Sequence, residues 1–208
     1  LTNSNVLIAY RDYGNSNFGT FVIYDETGIQ IVSPTVFESA NSIYISATTL
    51  TNGNVLIAYR DDGNSSYGTF VIYDELGNQV VAPTIFNSAV SNYISATTLT
   101  NGNVLIAYTD VGNSSYGTFV IYDEAGNQVK APTVFDSTNI AYISATTLTN
   151  GNVLIAYKDN GNLSYGTFVI YDASGNQVKA PTVFDSATST YISATTLTNG
   201  NVLIAYRD

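Results

Sequence analysis

The feature that most constrains this chain is a tandem repeat of 49 residues. The hexapeptide Asn-Val-Leu-Ile-Ala-Tyr recurs at that spacing through the whole sequence, and most positions hold one residue type in all four complete copies. The complete copies and the partial fifth copy are 1–49, 50–98, 99–147, 148–196 and 197–208. Such a repeat indicates one supersecondary unit per copy, and units of this size bury their apolar surface on their neighbours. We therefore treat 1–208 as a single repeat array.

Each copy is expected to form four short β-strands and no helix. A hairpin is predicted where Thr-Asn-Gly-Asn separates two apolar runs, because both central residues must tolerate a positive φ. Pro132 falls in the last predicted strand, which suits an edge strand because proline has no N–H to donate. In the frame that ends with the third copy, the predicted strands are Tyr93–Leu99, Val104–Tyr108, Thr118–Asp123 and Gln128–Phe135.

The two middle strands of each copy, Val-Leu-Ile-Ala-Tyr and Thr-Phe-Val-Ile-Tyr, are apolar on both faces. An antiparallel strand with one wet face would alternate apolar and polar residues instead. These strands must therefore be covered on both sides, and copies of the same sheet stacked face to face provide that cover. The prediction is an all-β fold of tandem four-stranded antiparallel sheets, stacked as the blades of a β-propeller. An open, spiralling stack of the same sheets fits the pattern equally well.

Two motifs carry a family resemblance. Val22-Ile23-Tyr24-Asp25 and its copies at 71–74, 120–123 and 169–172 end in Tyr-Asp. This resembles the third strand of WD40-type repeats, which ends in Trp-Asp. The Leu-Thr-Asn-Gly-Asn hairpin is similar to hairpin repeats of large bacterial secreted and surface proteins. The resemblance implies a blade-like layout, and it implies a location outside the cell or on its surface.

Composition excludes several classes of function. The chain has no His and no Cys, so it lacks a Ser-His-Asp relay, a thiol nucleophile and a thiolate metal site. We therefore expect no enzymatic activity and no cofactor. Calcium stays a weakly supported alternative, because no copy has the spacing of a calcium loop. The net charge of −10 argues against nucleic acid as a partner. The short apolar runs argue against insertion into a membrane.

The loop after the second strand is the predicted ligand-binding segment. Every copy offers an aspartate, an asparagine and an aromatic ring there. An aromatic face beside polar groups suits a sugar, since the ring packs on C–H groups while the polar groups bond hydroxyls. The predicted residues are Asp12, Asn15, Phe18, Asp61, Asn64, Tyr67, Asp110, Asn113, Tyr116, Asp159, Asn162 and Tyr165. The alternative is structural: the aspartates and asparagines form turns, and the rings pack between sheets.

Two functions follow from these patterns. The first is a non-catalytic extracellular or surface protein for multivalent binding and adhesion, with glycans or other cell-surface molecules as ligands. The second is a structural element that forms fibres or spacers by head-to-tail stacking. The sequence opens on a second strand and closes on another, so incomplete terminal sheets are expected to promote self-association.

Overall fold

The computed structural model describes residues 1–208, and it consists almost entirely of antiparallel β-strands. Two single 3-10 turns, Asp62–Asn64 and Val111–Asn113, are the only helical segments, and no helix has the length and apolar character needed to cross a membrane. The strands are β1 (Val6–Asp12), β2 (Phe18–Tyr24), β3 (Gln30–Thr49), β4 (Val55–Asp61), β5 (Tyr67–Tyr73), β6 (Gln79–Thr98), β7 (Val104–Asp110), β8 (Tyr116–Tyr122), β9 (Gln128–Thr147), β10 (Val153–Asp159), β11 (Tyr165–Tyr171), β12 (Gln177–Thr188), β13 (Thr190–Thr196) and β14 (Val202–Arg207).

The three long strands each belong to two sheets. The first half of β3 pairs with β2, and its second half pairs with β4. The strands β6 and β9 divide in the same way. The first sheet is therefore β1, β2 and the outer half of β3. The second and third sheets each have an inner half-strand, two middle strands and an outer half-strand. The fourth sheet ends on β12, and β13 with β14 forms a fifth sheet of two strands.

The continuous long strands differ from the prediction of four separate strands per copy. No Gly, Pro or Asn-Gly pair stands between the outer and inner halves, so the backbone remains extended as it crosses from one sheet to the next. The bend occurs instead at a tyrosine with a positive φ, +53° at Tyr44 and +50° at Tyr93. Pairing registers shift at the same points, as between Ile43 and Ser46. The expected Asn-Gly hairpins are present, with Gly102 at φ +87°.

The core lies between consecutive sheets, as the apolar runs predict. Leu7, Phe21 and Phe37 of the first sheet pack against Ile57 and Tyr59 of the second. The same contacts recur at the next two interfaces. Both faces of the middle strands are buried, since every residue of Val104–Tyr108 is fully buried. The first three junctions also repeat one ring contact, Phe21 with Tyr73 at 4.7 Å and its two copies at 4.7 and 4.8 Å.

Inner half-strands of consecutive sheets contact each other through short polar side chains. Ser46 Oγ accepts a hydrogen bond from Ala96 N at 3.0 Å, and Thr98 Oγ1 donates to Thr49 O at 2.8 Å. Both bonds recur at the following two junctions. The small residues of Tyr-Ile-Ser-Ala-Thr-Thr thus permit close approach of neighbouring inner strands. The hydrogen-bonded order runs from β1 to β12 without a crossover and does not return to β1.

Candidate functional site

All the predicted binding loops lie at one end of the sheets. They follow β1, β4, β7 and β10, and at the same end each long strand crosses to the next sheet. Loop and crossover touch: Asn41 Nδ2 donates to Asp62 Oδ2 at 2.5 Å, and a Cβ on Gly63 would collide with Ala40. We call this surface the variable end. It comprises the loops 12–18, 61–67, 110–116 and 159–165 and the crossovers 38–44, 87–93, 136–142 and 185–191.

The sequence differences between copies concentrate at the variable end. Six repeat positions hold three or more residue types among the four complete copies; four of them lie there, and a fifth, Arg11, directly precedes the loop. The sixth is the hairpin tip at Thr27, at the opposite end. The five positions, numbered in the first copy, are Arg11, Tyr13, Glu38, Asn41 and Ile43. The copies therefore share one core and present different side chains along one surface.

The predicted site aspartates shape the loops. Asp61 Oδ1 accepts hydrogen bonds from the N–H groups of Gly63 at 2.9 Å and Asn64 at 3.1 Å. Asp159 makes the equivalent bonds in its own loop, and Asp12 accepts from Gly14 N at 3.0 Å. Asp61 and Asp159 are only 7% exposed. Their Oδ1 atoms are directed at the backbone, which supports the turn interpretation for Asp12, Asp61 and Asp159. Asp110 makes no capping bond and instead accepts a hydrogen bond from Asn87 Nδ2 at 3.1 Å.

The aspartates that end the Val-Ile-Tyr-Asp motif, such as Asp123, shape the hairpins at the opposite end of the sheets in the same manner. The Asn127 side-chain amide donates to Asp123 at 3.0 Å, and two backbone N–H groups of the hairpin donate to the same carboxylate. The Asn127 amide is the largest cause of a lowered pKa at Asp123, and the backbone donors act in the same direction against a smaller effect of desolvation. No three carboxylates converge anywhere in the structure in a way that suits a metal ion.

The predicted asparagines and aromatic rings are differently placed. The asparagine side chains are exposed, and their amides make no hydrogen bond within the chain. The rings beside them are half-buried, so one part of each ring faces solvent. The asparagines are Asn15, Asn64, Asn113 and Asn162, and the rings are Phe18, Tyr67, Tyr116 and Tyr165. Each loop therefore offers an unengaged amide and an accessible ring edge.

Each interface adds a different polar group to its loop. At the first interface, Arg60 Nε donates to Asp62 Oδ1 at 2.7 Å, and Arg60 Nη1 donates to Asn92 Oδ1 at 2.7 Å. At the second, Thr109 and Val111 replace this ion pair. The partners of Arg60 are therefore Asp62, two residues further along the chain, and an asparagine of the following crossover.

The third interface carries two carboxylates. Thr138 Oγ1 lies 2.7 Å from Asp136 Oδ1 and 2.8 Å from Asp159 Oδ1, and the buried Tyr157 hydroxyl donates to Asp136 Oδ2 at 2.8 Å. The corresponding acid of the first interface is Glu38. Burial, reinforced by the nearby charge of Asp61, raises the pKa of Glu38 above its usual range. These carboxylates bind groups of their own interface, so they position the crossover.

A row of tyrosines at the crossovers was missed by the sequence analysis. Tyr44, Tyr93, Tyr142 and Tyr191 stack along the array with ring centroids 5.0, 5.1 and 5.2 Å apart. Cations lie over three of the rings: Arg60 is 5.5 Å from the Tyr44 centroid, and Arg207 is 5.0 Å from that of Tyr191. The signal was the recurrence of a tyrosine and of a basic residue, each at one fixed repeat position.

Comparison with known proteins finds similarity at the level of the fold. No protein-family model matches the chain, and no curated protein sequence matches it. Many solved structures do match. A protein of unknown function from Dyadobacter fermentans is 16% identical with a TM-score of 0.69, and the match covers 98% of this chain and 72% of that one. These neighbours are all-β proteins, and β-propeller-like lectins and glycosidases are among them.

Two further neighbours have titles that name a function. The SapL1 lectin, solved with alpha methyl fucoside, is 13% identical with a TM-score of 0.67, covering 99% of this chain and 69% of that one. An ulvan lyase of a new polysaccharide lyase family is 12% identical with a TM-score of 0.66, covering 98% of this chain. This chain spans only 62% of the length of that lyase. At these identities the likeness shows the fold alone, which is all-β with antiparallel sheets.

Proposed function

We propose that this chain is a non-catalytic, lectin-like protein that binds neutral glycans at several places along its variable end, outside the cell or on its surface. The observation that carries the proposal is that five of the six most variable repeat positions lie at or directly beside that one surface. Selection for folding alone would not concentrate the most variable positions at one end of the sheets. We further propose that the sheets are arranged as blades of the β-propeller type, an arrangement supported by the propeller-like neighbours.

The chemistry of each loop supports a sugar as ligand. The exposed amide of Asn64 has a free donor and a free acceptor, which suits adjacent hydroxyl groups of a sugar ring. The half-buried ring of Tyr67 gives an apolar edge on which C–H groups can pack. One amide and one ring edge form a shallow site, so we expect about millimolar affinity at a single loop, near −4 kcal/mol. Binding through several loops at once would raise the apparent affinity by avidity.

The charge of the chain selects the class of glycan. A net charge of −10 disfavours sulfated or carboxylated polysaccharides, because like charges repel during approach and in the complex. Of the cations near this end, Arg60 is already engaged, since it bonds to Asp62 and Asn92. Neutral sugars such as fucose, galactose or mannose therefore fit this surface better than uronic acids.

The test is isothermal titration calorimetry of the 208-residue chain with alpha methyl fucoside and with a panel of neutral oligosaccharides. A triple variant, N64A/N113A/N162A, is expected to weaken binding of the best neutral glycan at least tenfold. The matched control is Q79A/Q128A/Q177A, which removes exposed amides from the other end of the same sheets. The control is expected to bind like the unaltered chain.

Three kinds of result would contradict the proposal. The first is the absence of saturable binding to every neutral glycan of the panel, or equal losses in the triple variant and the control. The second concerns catalysis: release of new reducing ends or unsaturated products from a bound polysaccharide would show that the chain is an enzyme. An acidic glycan bound more tightly than its neutral counterpart would refute the argument from charge.

A second candidate function is a structural role in assembly. Its supporting observation is the exposed apolar surface of the terminal sheets. Val6 and Ile8 of β1 are 50% and 48% exposed, whereas the equivalent Val55 and Ile57 are 2% and 0% exposed. Leu203 in the fifth sheet is likewise 48% exposed. Such surfaces favour association between chains, and they do not depend on the glycan site.

A further inference from the structure

A groove runs along the free edge of β1. In the second to fifth sheets, an inner strand pairs with the strand that corresponds to β1, but β1 pairs only with β2. Two open cavities of about 230 and 370 Å³ follow this edge. One lies between Leu7 and Thr48, and the other lies between Arg11 and Tyr44. The groove therefore occupies the place of one inner strand.

Arg11, which lines the groove, lacks the hydrogen-bond partner that the equivalent arginine of the fifth sheet has. Arg11 Nε is buried and has no hydrogen-bond partner. In the fifth sheet the equivalent Arg207 Nε donates to Thr190 Oγ1 of the inner strand at 3.2 Å. A threonine at the start of an incoming strand would give Arg11 the same partner.

The inner strand of the second sheet, which lines the groove, has an alanine whose equivalents in later sheets bond to a serine. Three alanine N–H groups, those of Ala96, Ala145 and Ala194, each donate to a serine of the preceding inner strand at 2.9 to 3.0 Å. Ala47 is the first member of this series, and it is exposed toward the groove. A strand with a serine three residues after its threonine would satisfy both groups. The segment Thr190–Ser193 has this spacing.

The strand that fits, β13, is present once in every molecule of this protein. β13 carries Thr190 and Ser193, and it pairs with β14 in the fifth sheet. The seven residues Val6–Asp12 are identical in sequence to Val202–Asp208. An exchange of β14 for β1 as the partner of β13 therefore conserves the backbone hydrogen bonds of the pair.

We propose that β13 of a second copy of this chain inserts into the groove, pairs antiparallel with β1 in the register that it has with β14, and displaces β14. This is β-strand addition between identical chains. The first sheet would then have four strands and would lie on the fourth sheet of the second copy, covering Val6 and Ile8. The apolar area buried in this way and the new hydrogen-bond partner of Arg11 favour pairing of β13 with β1 over its pairing with β14. These gains offset the entropy lost when two molecules associate.

The geometry predicts head-to-tail assembly. Each molecule has one groove and one β13. Because these are two different surfaces, the contacts between molecules are heterologous and can continue from one molecule to the next. The mass in solution is expected to rise with concentration from that of one chain to dimers and higher oligomers. A variant that ends at Ser189 lacks β13 and β14, and it is expected to remain monomeric at the same concentrations.

Cysteine trapping tests the register directly, because the chain has no cysteine of its own. Ser193 pairs with Ala205 in the fifth sheet, so it would pair with Ala9 in the groove. An equimolar mixture of A9C and S193C is expected to form a mixed disulfide dimer on mild oxidation. The control is A9C with A194C, in which the second thiol points to the other face of the strand. The control is expected to form at least tenfold less of the mixed dimer.

Four outcomes would overturn the proposal. One is a mass of a single chain at all concentrations together with no mixed disulfide. Another is a disulfide that forms inside the double variant A9C/S193C but never between the single variants, which would show that the chain's own β13 fills the groove. The third is equal trapping by A9C with S193C and with A194C, which would indicate unspecific aggregation. Oligomers that persist in the variant ending at Ser189 would likewise exclude β13 as the occupant.

Discussion

Three equivalent tyrosines provide a controlled test of how the interfaces hold their buried polar groups. Tyr59, Tyr108 and Tyr157 occupy one repeat position and are all fully buried. The Tyr157 hydroxyl donates to Asp136 Oδ2 at 2.8 Å, whereas the Tyr108 hydroxyl has no hydrogen-bond partner. We predict opposite effects of the same substitution, Tyr→Phe, at the last two positions.

The magnitudes follow from the partners. A hydrogen bond to a charged group contributes about 1.5–3 kcal/mol, so Y157F is expected to lower the free energy of unfolding by about 2 kcal/mol. A buried polar group without a partner costs about 1–3 kcal/mol. Y108F removes such a group while keeping the ring packed on Phe86, 5.1 Å away between centroids. It is therefore expected to leave stability unchanged or to raise it by about 1 kcal/mol.

The assay is urea unfolding followed by circular dichroism. With an m-value of about 2 kcal/mol/M, a loss of about 2 kcal/mol lowers the unfolding midpoint by about 1 M. Y59F serves as the intermediate case, because its hydroxyl donates to Glu38 over a longer distance of 3.2 Å. Equal losses in Y108F and Y157F would refute the reasoning, since the two substitutions remove the same atom from equally buried sites.

Two further predictions concern charge and close packing. Because burial and the charge of Asp61 raise the pKa of Glu38, the stability it contributes is present below about pH 4.5 and is lost as pH rises through its raised value. E38Q should therefore raise the free energy of unfolding at pH 7 by about a few tenths of a kcal/mol at this partly exposed site, and should change nothing at pH 4. A larger gain at pH 4 than at pH 7, measured by thermal unfolding, would contradict this. A Cβ on Gly68 would overlap the Phe86 ring, whereas Gly28, at φ +86°, has open space around it. In urea unfolding, G68A should lose about 3 kcal/mol by overpacking and G28A only about 1 kcal/mol of backbone strain, and the reverse order would refute the packing argument.

Much of the fold was predictable because the repeat supplies the signal several times over. The doubly apolar run Val104–Tyr108 required cover on both faces, and the structure buries it completely. The Asn-Gly hairpins followed from turn chemistry. The continuity of the long strands was not predicted, because the crossover residues have no turn signal and the bend depends on a tyrosine at positive φ, as at Tyr44.

The candidate site was predictable only in part. The loop residues were found from their recurrence, and the turn role of Asp61 was foreseen as the alternative. The contact of Arg60 with Asn92 joins residues 32 positions apart, and it exists only because of how consecutive sheets stack. The tyrosine row also depends on that stacking. Whether the loops bind a glycan stays a prediction until a ligand is measured.

Each sheet is stable because sister copies cover its apolar faces. Leu105 and Leu203 occupy the same repeat position, but Leu105 is fully buried between sheets and Leu203 is 48% exposed in the last one. The most direct measurement is the unfolding midpoint of L105A and L203A in urea. We predict a loss of about 2–5 kcal/mol for L105A, as for other buried leucines, and of less than about 1 kcal/mol for L203A. Equal losses at the two positions would show that cover by neighbouring copies is not what stabilises the array.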